Sequence, residues 1–182
     1  MSALVEVKDL NVAFHSTDAV VNAVNPQLIP GGGVDGAIRH AAGHRLNEAL
    51  ARLDGCPVGE ARLTYGFNLP ARYVIHTAGP VWHGGEQGEP EKLRSCYRSV
   101  LKMAIDYDIP SIAFPCISTG VFGYPKEDAG VIAFSEIQQL NSRFSKVVIC
   151  CHSDEDAKIY QDLFIQKKAC CDLNFSYFFQ LF

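Results

Sequence analysis

Residues 22–43 read NAVNPQLIPGGGVDGAIRHAAG. An apolar run gives way to two asparagines, Asn22 and Asn25, then to three consecutive glycines, Gly31, Gly32 and Gly33, and Asp35 opens a stretch of helical apolar spacing. One reading is structural: glycines turn the chain, and an aspartate in a first helical turn complements the helix dipole, contributing ~0.3–1 kcal/mol. The other is chemical. Glycines let backbone N–H groups approach a ligand closely, and a helix start presents unpaired N–H groups and partial positive charge. On that reading the segment cradles phosphate with an acid beside it. The glycine spacing matches neither G-x-G-x-x-G nor the P-loop with its Lys-Ser/Thr ending.

Composition limits what such a cradle serves. A chain of 182 residues, 48% hydrophobic and 20% charged, suits one domain, burying roughly 70% of its unfolded surface. The first residues, MSALVEVKDL, lack a basic region followed by an apolar core. No apolar run approaches the ~20 residues a membrane helix requires, so a soluble, unprocessed protein is expected. The seven cysteines are odd in number, include two adjacent pairs (Cys150-Cys151 and Cys170-Cys171) and show no C-x-x-C spacing. Neither a disulfide framework nor a zinc site is indicated, and a reducing, cytoplasmic compartment is expected. The net charge of −4 argues against a broad basic face for nucleic acid, so an anionic ligand must be held by backbone donors.

Nearly continuous apolar runs at 18–24, 72–76, 111–114 and 146–150 read as buried strands, and 60–67, more alternating, as a strand toward an edge. Helical patterns at 34–52, 90–107, 126–140 and 154–165 lie between them, with Pro90 and Pro125 as helix starters. The alternation predicts a three-layer α/β/α sandwich with a mixed, largely parallel sheet. Residues 1–168 form this single domain, and 169–182 an aromatic extension. In that extension Phe175, Tyr177, Phe179 and Leu181 share a period-2 face, so Phe175–Phe182 either adds an edge strand or docks on a partner. Ligands in such sheets sit beyond the strand carboxyl ends. A second small-residue loop, CISTGVFGYP at 116–125, leaves one of those ends and complements the first.

Four segments together, DAVVNAVN (18–25), GGGVDGAI (31–38), HTAGPVW (76–82) with Gly84 and Gly85, and ISTGVFGYP (117–125), carry a resemblance. In order and spacing, from about residue 10 to 165, the chain resembles the macro domain family, and within it the MacroD-type ADP-ribose hydrolases and bacterial O-acetyl-ADP-ribose deacetylases. The resemblance implies the macro domain fold and, as ligand, ADP-ribose, an ADP-ribosylated protein or O-acetyl-ADP-ribose, with no metal and no cofactor. It places the diphosphate between the loops, Gly31, Gly32, Gly33 and Val34 facing one phosphate and Ser118, Thr119, Gly120, Val121 and Phe122 the other. Asn25 would hydrogen-bond the distal ribose, Phe122 would cover it, and Asp35 would orient or deprotonate a water. Asn22 reads either as a ligand contact or as a group satisfying the strand end. His76 and Trp82 are assigned to the scaffold.

Three departures from the family pattern stand out. Where relatives carry Gly-Asp-Ile, whose Asp accepts from the adenine amino group, this chain has Leu10-Asn11-Val12, so Asn11 and Val12 become the nucleobase contacts. The adenine-lining aromatic is replaced by His152 within Cys151-His152-Ser153-Asp154. The hydrolases commonly place His four residues after the Asp, but here Arg39 holds that place and His40 follows. On a helix, i+4 lies about 40° from i and i+5 about 140°, so Arg39 shares the Asp35 face and His40 does not. Exposed, such a pair is worth ~0.2–0.5 kcal/mol. The leading expectation is hydrolysis of mono-ADP-ribosyl esters on acidic side chains or of O-acetyl-ADP-ribose. The alternatives are a non-catalytic ADP-ribose reader and, more distantly, an RNA- or nucleotide-binding module.

Overall fold

The computed structural model describes residues 4–8 and 16–168. Asn11, Val12 and the extension from 169 to 182, with its expected partner contact through Phe175–Phe182, lie outside the described residues. The elements run β1 (Leu4–Lys8), β2 (Ala19–Val24), α1 (Gly33–Ala42), α2 (His44–Leu50), β3 (Ala61–Tyr65), β4 (Tyr73–Ala78), α3 (Glu89–Asp106), β5 (Ser111–Pro115), α4 (Lys126–Leu140), a 3-10 turn (Asn141–Arg143), β6 (Lys146–Cys150) and α5 (Asp154–Lys168).

The strands form one sheet in the order β1-β6-β5-β2-β4-β3. Every pairing is parallel except β3 with β4. Strand β1, for which the sequence reading made no provision, pairs along its whole length with β6. Its apolar residues are too few for periodicity to separate a strand from a loop.

The pleat sorts side chains into two cores. Ala19 and Val21 of β2, Ile112 and Phe114 of β5, and Val147 and Ile149 of β6 pack with Tyr97, Leu101 and Ile137 from α3 and α4, and with Tyr160 from α5. Val20, Val24, Val74, Ala113 and Val148 face the other way, onto Ile38 and Ala42 of α1 and Leu46 and Leu50 of α2. Strands covered on both faces are apolar throughout, which is why they read as continuous runs. Among the polar residues these strands bury, Asn22 and His76 alternate in step with Val20 and Val74 and so lie beneath α1.

The single helix expected over 34–52 is two helices. Gly43 ends α1 at φ 82 and a Cβ there would lie 2.6 Å from Asn68 Nδ2. Left-handed backbone closes one helix, and α2 starts again at once in a new direction.

Candidate functional site

From the middle of the sheet the chain winds outward both ways: after β2 toward β4 and β3, and after β5 toward β6. The carboxyl ends of the neighbours β2 and β5 therefore flank a topological switch point, where α/β sheets open a crevice. Both candidate loops leave these two ends.

The first loop is braced by Asn25. Its Oδ1 accepts from Ile29 N at 3.1 Å and its Nδ2 donates to Ile29 O at 2.8 Å, while Leu28 N donates to Asn25 O at 3.0 Å. The chain then emerges through Gly31, Gly32 and Gly33, all exposed, into α1. Gly33 takes φ 56, and a Cβ on Gly32 would meet nothing within 4 Å. The rim at Gly32 is open to whatever occupies the crevice.

The second loop is tied down at both ends. Thr119 donates to Cys116 O from its hydroxyl at 2.9 Å, Tyr124 N donates to Ser118 O at 3.0 Å, and Gly123 N to Gly120 O at 2.9 Å. Ser118 sits at φ 67, and its buried hydroxyl has no hydrogen-bond partner. Gly120 borders open space. Val121 at the tip is fully exposed, and Phe122 is half-buried.

A third segment, 79–88, which in the sequence carries only the family resemblance and a scaffold role for Trp82, supports the second loop. Trp82 N donates to Phe122 O at 2.9 Å and its ring lies 4.6 Å from that of Tyr124. The buried carboxylate of Glu89 gathers this segment by accepting from His83 N at 3.0 Å, Gly85 N at 3.3 Å and Gln87 N at 2.6 Å. Burial pushes its carboxyl up, but these backbone donors outweigh that and hold it below the usual range. Glu89 precedes Pro90, so the sequence presents it as an ordinary acidic residue of a first helical turn.

Asp35 lies where the first loop meets α1, with only 3% of its surface exposed. Gly31 N donates to its Oδ2 at 2.8 Å, Asn22 Nδ2 to its Oδ1 at 2.8 Å, and Arg39 Nε lies 2.9 and 2.8 Å from the two oxygens. The ion pair is therefore not the exposed one that helix spacing alone suggested. Arg39 is 6% exposed and continues to Asn47 Oδ1 at 2.6 Å and Leu28 O at 2.9 Å. Folding α2 back against α1 supplies Asn47, and the tight turn at Leu28, φ 58, supplies the carbonyl. Removing one partner of a buried pair costs about 3–5 kcal/mol.

Behind Asp35 a polar chain runs into the sheet. Asn22 is fully buried, so the ligand contact considered for it is replaced by support of Asp35 from below. Its Nδ2 also lies 3.3 Å from His76 Nδ1, and His76 Nε2 lies 2.9 Å from Thr64 Oγ1. Because Nδ2 must donate to the carboxylate, it donates its second proton to Nδ1. The proton of neutral His76 is then on Nε2, donated to Thr64. Burial, aided by the Arg39 charge, lowers the His76 pKa to about 3. Nothing in the sequence advertises this link, since Asn22 and His76 meet only through the β2–β4 register.

Residues 21–133 match the Macro domain family. The chain belongs to the macro domain family. It is 49% identical over 163 residues to a macro domain-containing protein of Chlorobaculum tepidum, covering 88% of this chain and 95% of that one. To the ADP-ribose glycohydrolase MACROD2 of Homo sapiens it is 43% identical over 156 residues, 83% of this chain and 37% of that protein. Among solved structures, the Oceanobacillus iheyensis macrodomain with ADP superposes with a TM-score of 0.84 at 37% identity, covering 91% of this chain and 92% of that one. The Trypanosoma brucei macrodomain in complex with ADP-ribose gives 0.80 at 40% identity, covering 88% and 68%.

The remaining candidates of this macro domain are distributed as follows. Val34 is half-buried behind the glycines, and His40 is exposed on the side of α1 away from Asp35. His152 is exposed just beyond β6, one strand removed from β5. Among the described residues no group of three His, Cys, Asp or Glu side chains could hold a metal ion, and no helix is long and apolar enough to cross a membrane.

Proposed function

We propose that this macro domain binds ADP-ribose across the crevice between β2 and β5 and slowly hydrolyses the ester joining it to an acidic side chain or to an acyl group. The observation that carries this reading is the 2.8 Å bond from Gly31 N to Asp35 Oδ2, which puts the acid in contact with the phosphate cradle. The relatives support it, one named an ADP-ribose glycohydrolase and one a structure with ADP-ribose.

The diphosphate lies between 31–34 and 118–122, held by backbone N–H groups and the start of α1. Asn25 keeps one amide proton and one oxygen lone pair beyond its bonds to Ile29, and these serve the distal ribose hydroxyls. Phe122 closes over that ribose. A phosphate oxygen that takes the Gly31 N–H removes one of the donors on Asp35 and frees an Oδ2 lone pair for water. Asp35 then aligns that water, or takes its proton, as it attacks the ester carbonyl or the anomeric carbon. Arg39 is anchored at Asn47 and Leu28 and stays in place, so the carboxylate remains paired with a cation throughout.

The same pairing favours a second reading, an ADP-ribose reader without turnover, because every donor around Asp35 is satisfied without a water. Calorimetry with ADP-ribose and incubation with a mono-ADP-ribosylated protein separate the two. Binding with release of ADP-ribose supports the hydrolase, binding without release supports the reader, and no binding rejects both.

A further inference from the structure

Outside the crevice machinery, one cluster of nucleophilic side chains has no part in the scheme above. Cys116 follows the last residue of β5 and Cys151 the last residue of β6, and Pro115 and Cys150 are register partners. One step further along parallel strands brings Cys116 opposite Cys151. The pleat turns both to the side of Phe114 and Ile149, where both are half-buried against the same core. Their sulfurs lie 3.9 Å apart, both as free thiols. Neighbouring strands run about 4.8 Å apart, within the ~4.4–6.8 Å Cα separation that a disulfide bridges. Cys116 also anchors the second loop, since its carbonyl accepts from the Thr119 hydroxyl. Cys151 directly precedes His152.

We infer that Cys116 and Cys151 form a peroxide-sensitive dithiol whose oxidation to a disulfide joins the base of the second loop to the end of β6 and weakens ligand binding in the crevice. The thiolate of Cys116 attacks one oxygen of hydrogen peroxide, breaking the O–O bond and releasing hydroxide, which is protonated to water. The sulfenic acid so formed is attacked at sulfur by Cys151, the S–S bond forms, and the second oxygen leaves as water. Two thiols lose two electrons and one peroxide gains them. Cys151 is placed for the second step, because its sulfur already lies 3.9 Å from that of Cys116, and its thiol proton leaves with the departing oxygen as water. Closing the S–S bond to its ~2.05 Å length brings the sulfurs almost 2 Å closer, a movement shared between side-chain rotation and a small shift of the Cys116 backbone, whose carbonyl holds the Thr119 hydroxyl. Displacements of about 1 Å are costly where backbone donors must meet a ligand.

The consequence for binding rests on the ADP-ribose reading; the cross-link itself does not. The full chain is treated with hydrogen peroxide, digested without reductant and mapped by mass spectrometry, alongside Cys151→Ser. The expected result is a peptide joining Cys116 to Cys151, absent from the variant and lost on reduction. ADP-ribose affinity by calorimetry should fall by about fivefold or more in the oxidised parent and recover with dithiothreitol, while Cys151→Ser binds like the reduced parent before and after peroxide. Oxidation to other pairings, or to sulfinic acid without a 116–151 peptide, overturns the proposal. A cross-linked protein with unchanged affinity overturns the switch. Failure of the reduced parent to bind ADP-ribose overturns the reading of the crevice, and the peptide map still decides the dithiol.

Discussion

Arg39 Nε lies 2.9 and 2.8 Å from the two carboxylate oxygens of Asp35, and neither side chain has more than 6% of its surface exposed. A buried pair behaves unlike a surface pair, because each ion's desolvation is offset only while the other is present. Asp35→Ala should therefore cost about 3–5 kcal/mol of stability, beyond any loss of chemistry. Denaturant melts should show the loss, and Asp35→Asn, which keeps acceptor and shape, should lose less. An Asp35→Ala protein as stable as the parent would show that the pair is solvated. Equal single-turnover rates for Asp35→Asn and parent would remove Asp35 from the mechanism.

Replacing Arg39 by His trades a permanent cation for a neutral or weakly basic ring and releases Asn47 and Leu28 O from their bonds. The expected outcome is a rise in single-turnover ester hydrolysis of about tenfold, equivalent to about 1.4 kcal/mol of barrier, accompanied by a lower melting temperature. His40→Ala is the control, since His40 is exposed away from the site, and should leave the rate within twofold or so. A slower Arg39→His enzyme would mean that Arg39 assists turnover.

Gly32 and Gly120 both border open space. A Cβ is tolerated at either place in the folded protein, yet it stands where a diphosphate must touch backbone. Gly32→Val and Gly120→Val should each retain the parent melting temperature within about 2 °C, a shift of under 1 kcal/mol. Each should also weaken ADP-ribose binding at least tenfold by calorimetry. Unchanged affinity in both variants would place the diphosphate elsewhere.

His76 is buried neutral with its pKa lowered to about 3. The unfolded chain, whose histidine titrates near 6.5, binds this proton first. The stability that the neutral form supplies is complete above about pH 6.5 and falls as the pH drops toward 3. The slope reaches about 1.4 kcal/mol per pH unit for one proton. Glu89 acts in the same direction, its depressed carboxyl losing its contribution as acid protonates it. Urea melts between pH 7.5 and 4.5 should show this slope, and His76→Gln should flatten it even if the variant starts less stable. A parent whose stability does not change across that range would contradict the buried neutral assignment.

Much of this protein is local, and local features are legible in the chain. The continuous apolar runs of β2, β4, β5 and β6, the helix start at Pro90 and the span 126–140 follow from side-chain periodicity and turn residues. So does the position of the two glycine loops beyond strand ends, because strand, turn and helix propensity act over a few residues. The break at Gly43 escaped this reading, since a glycine within a helical pattern is compatible with continuation until Asn68 crowds it from elsewhere in the chain.

What only the tertiary structure decided are meetings between residues distant in sequence. Helical spacing put Asp35 and Arg39 on one face, but the folding of α2 and the turn at Leu28 buried the pair and gave Arg39 its further partners. The strand register brought Asn22 to His76, turning a candidate ligand contact into a support for the acid. Cys116 and Cys151, 35 residues apart, come together for the same reason. The sequence by itself determined the layer order, the loops and the chemistry available to them. Burial and register belong to the packed sheet, because they are set by which strand lies beside which, and that depends on the whole core at once.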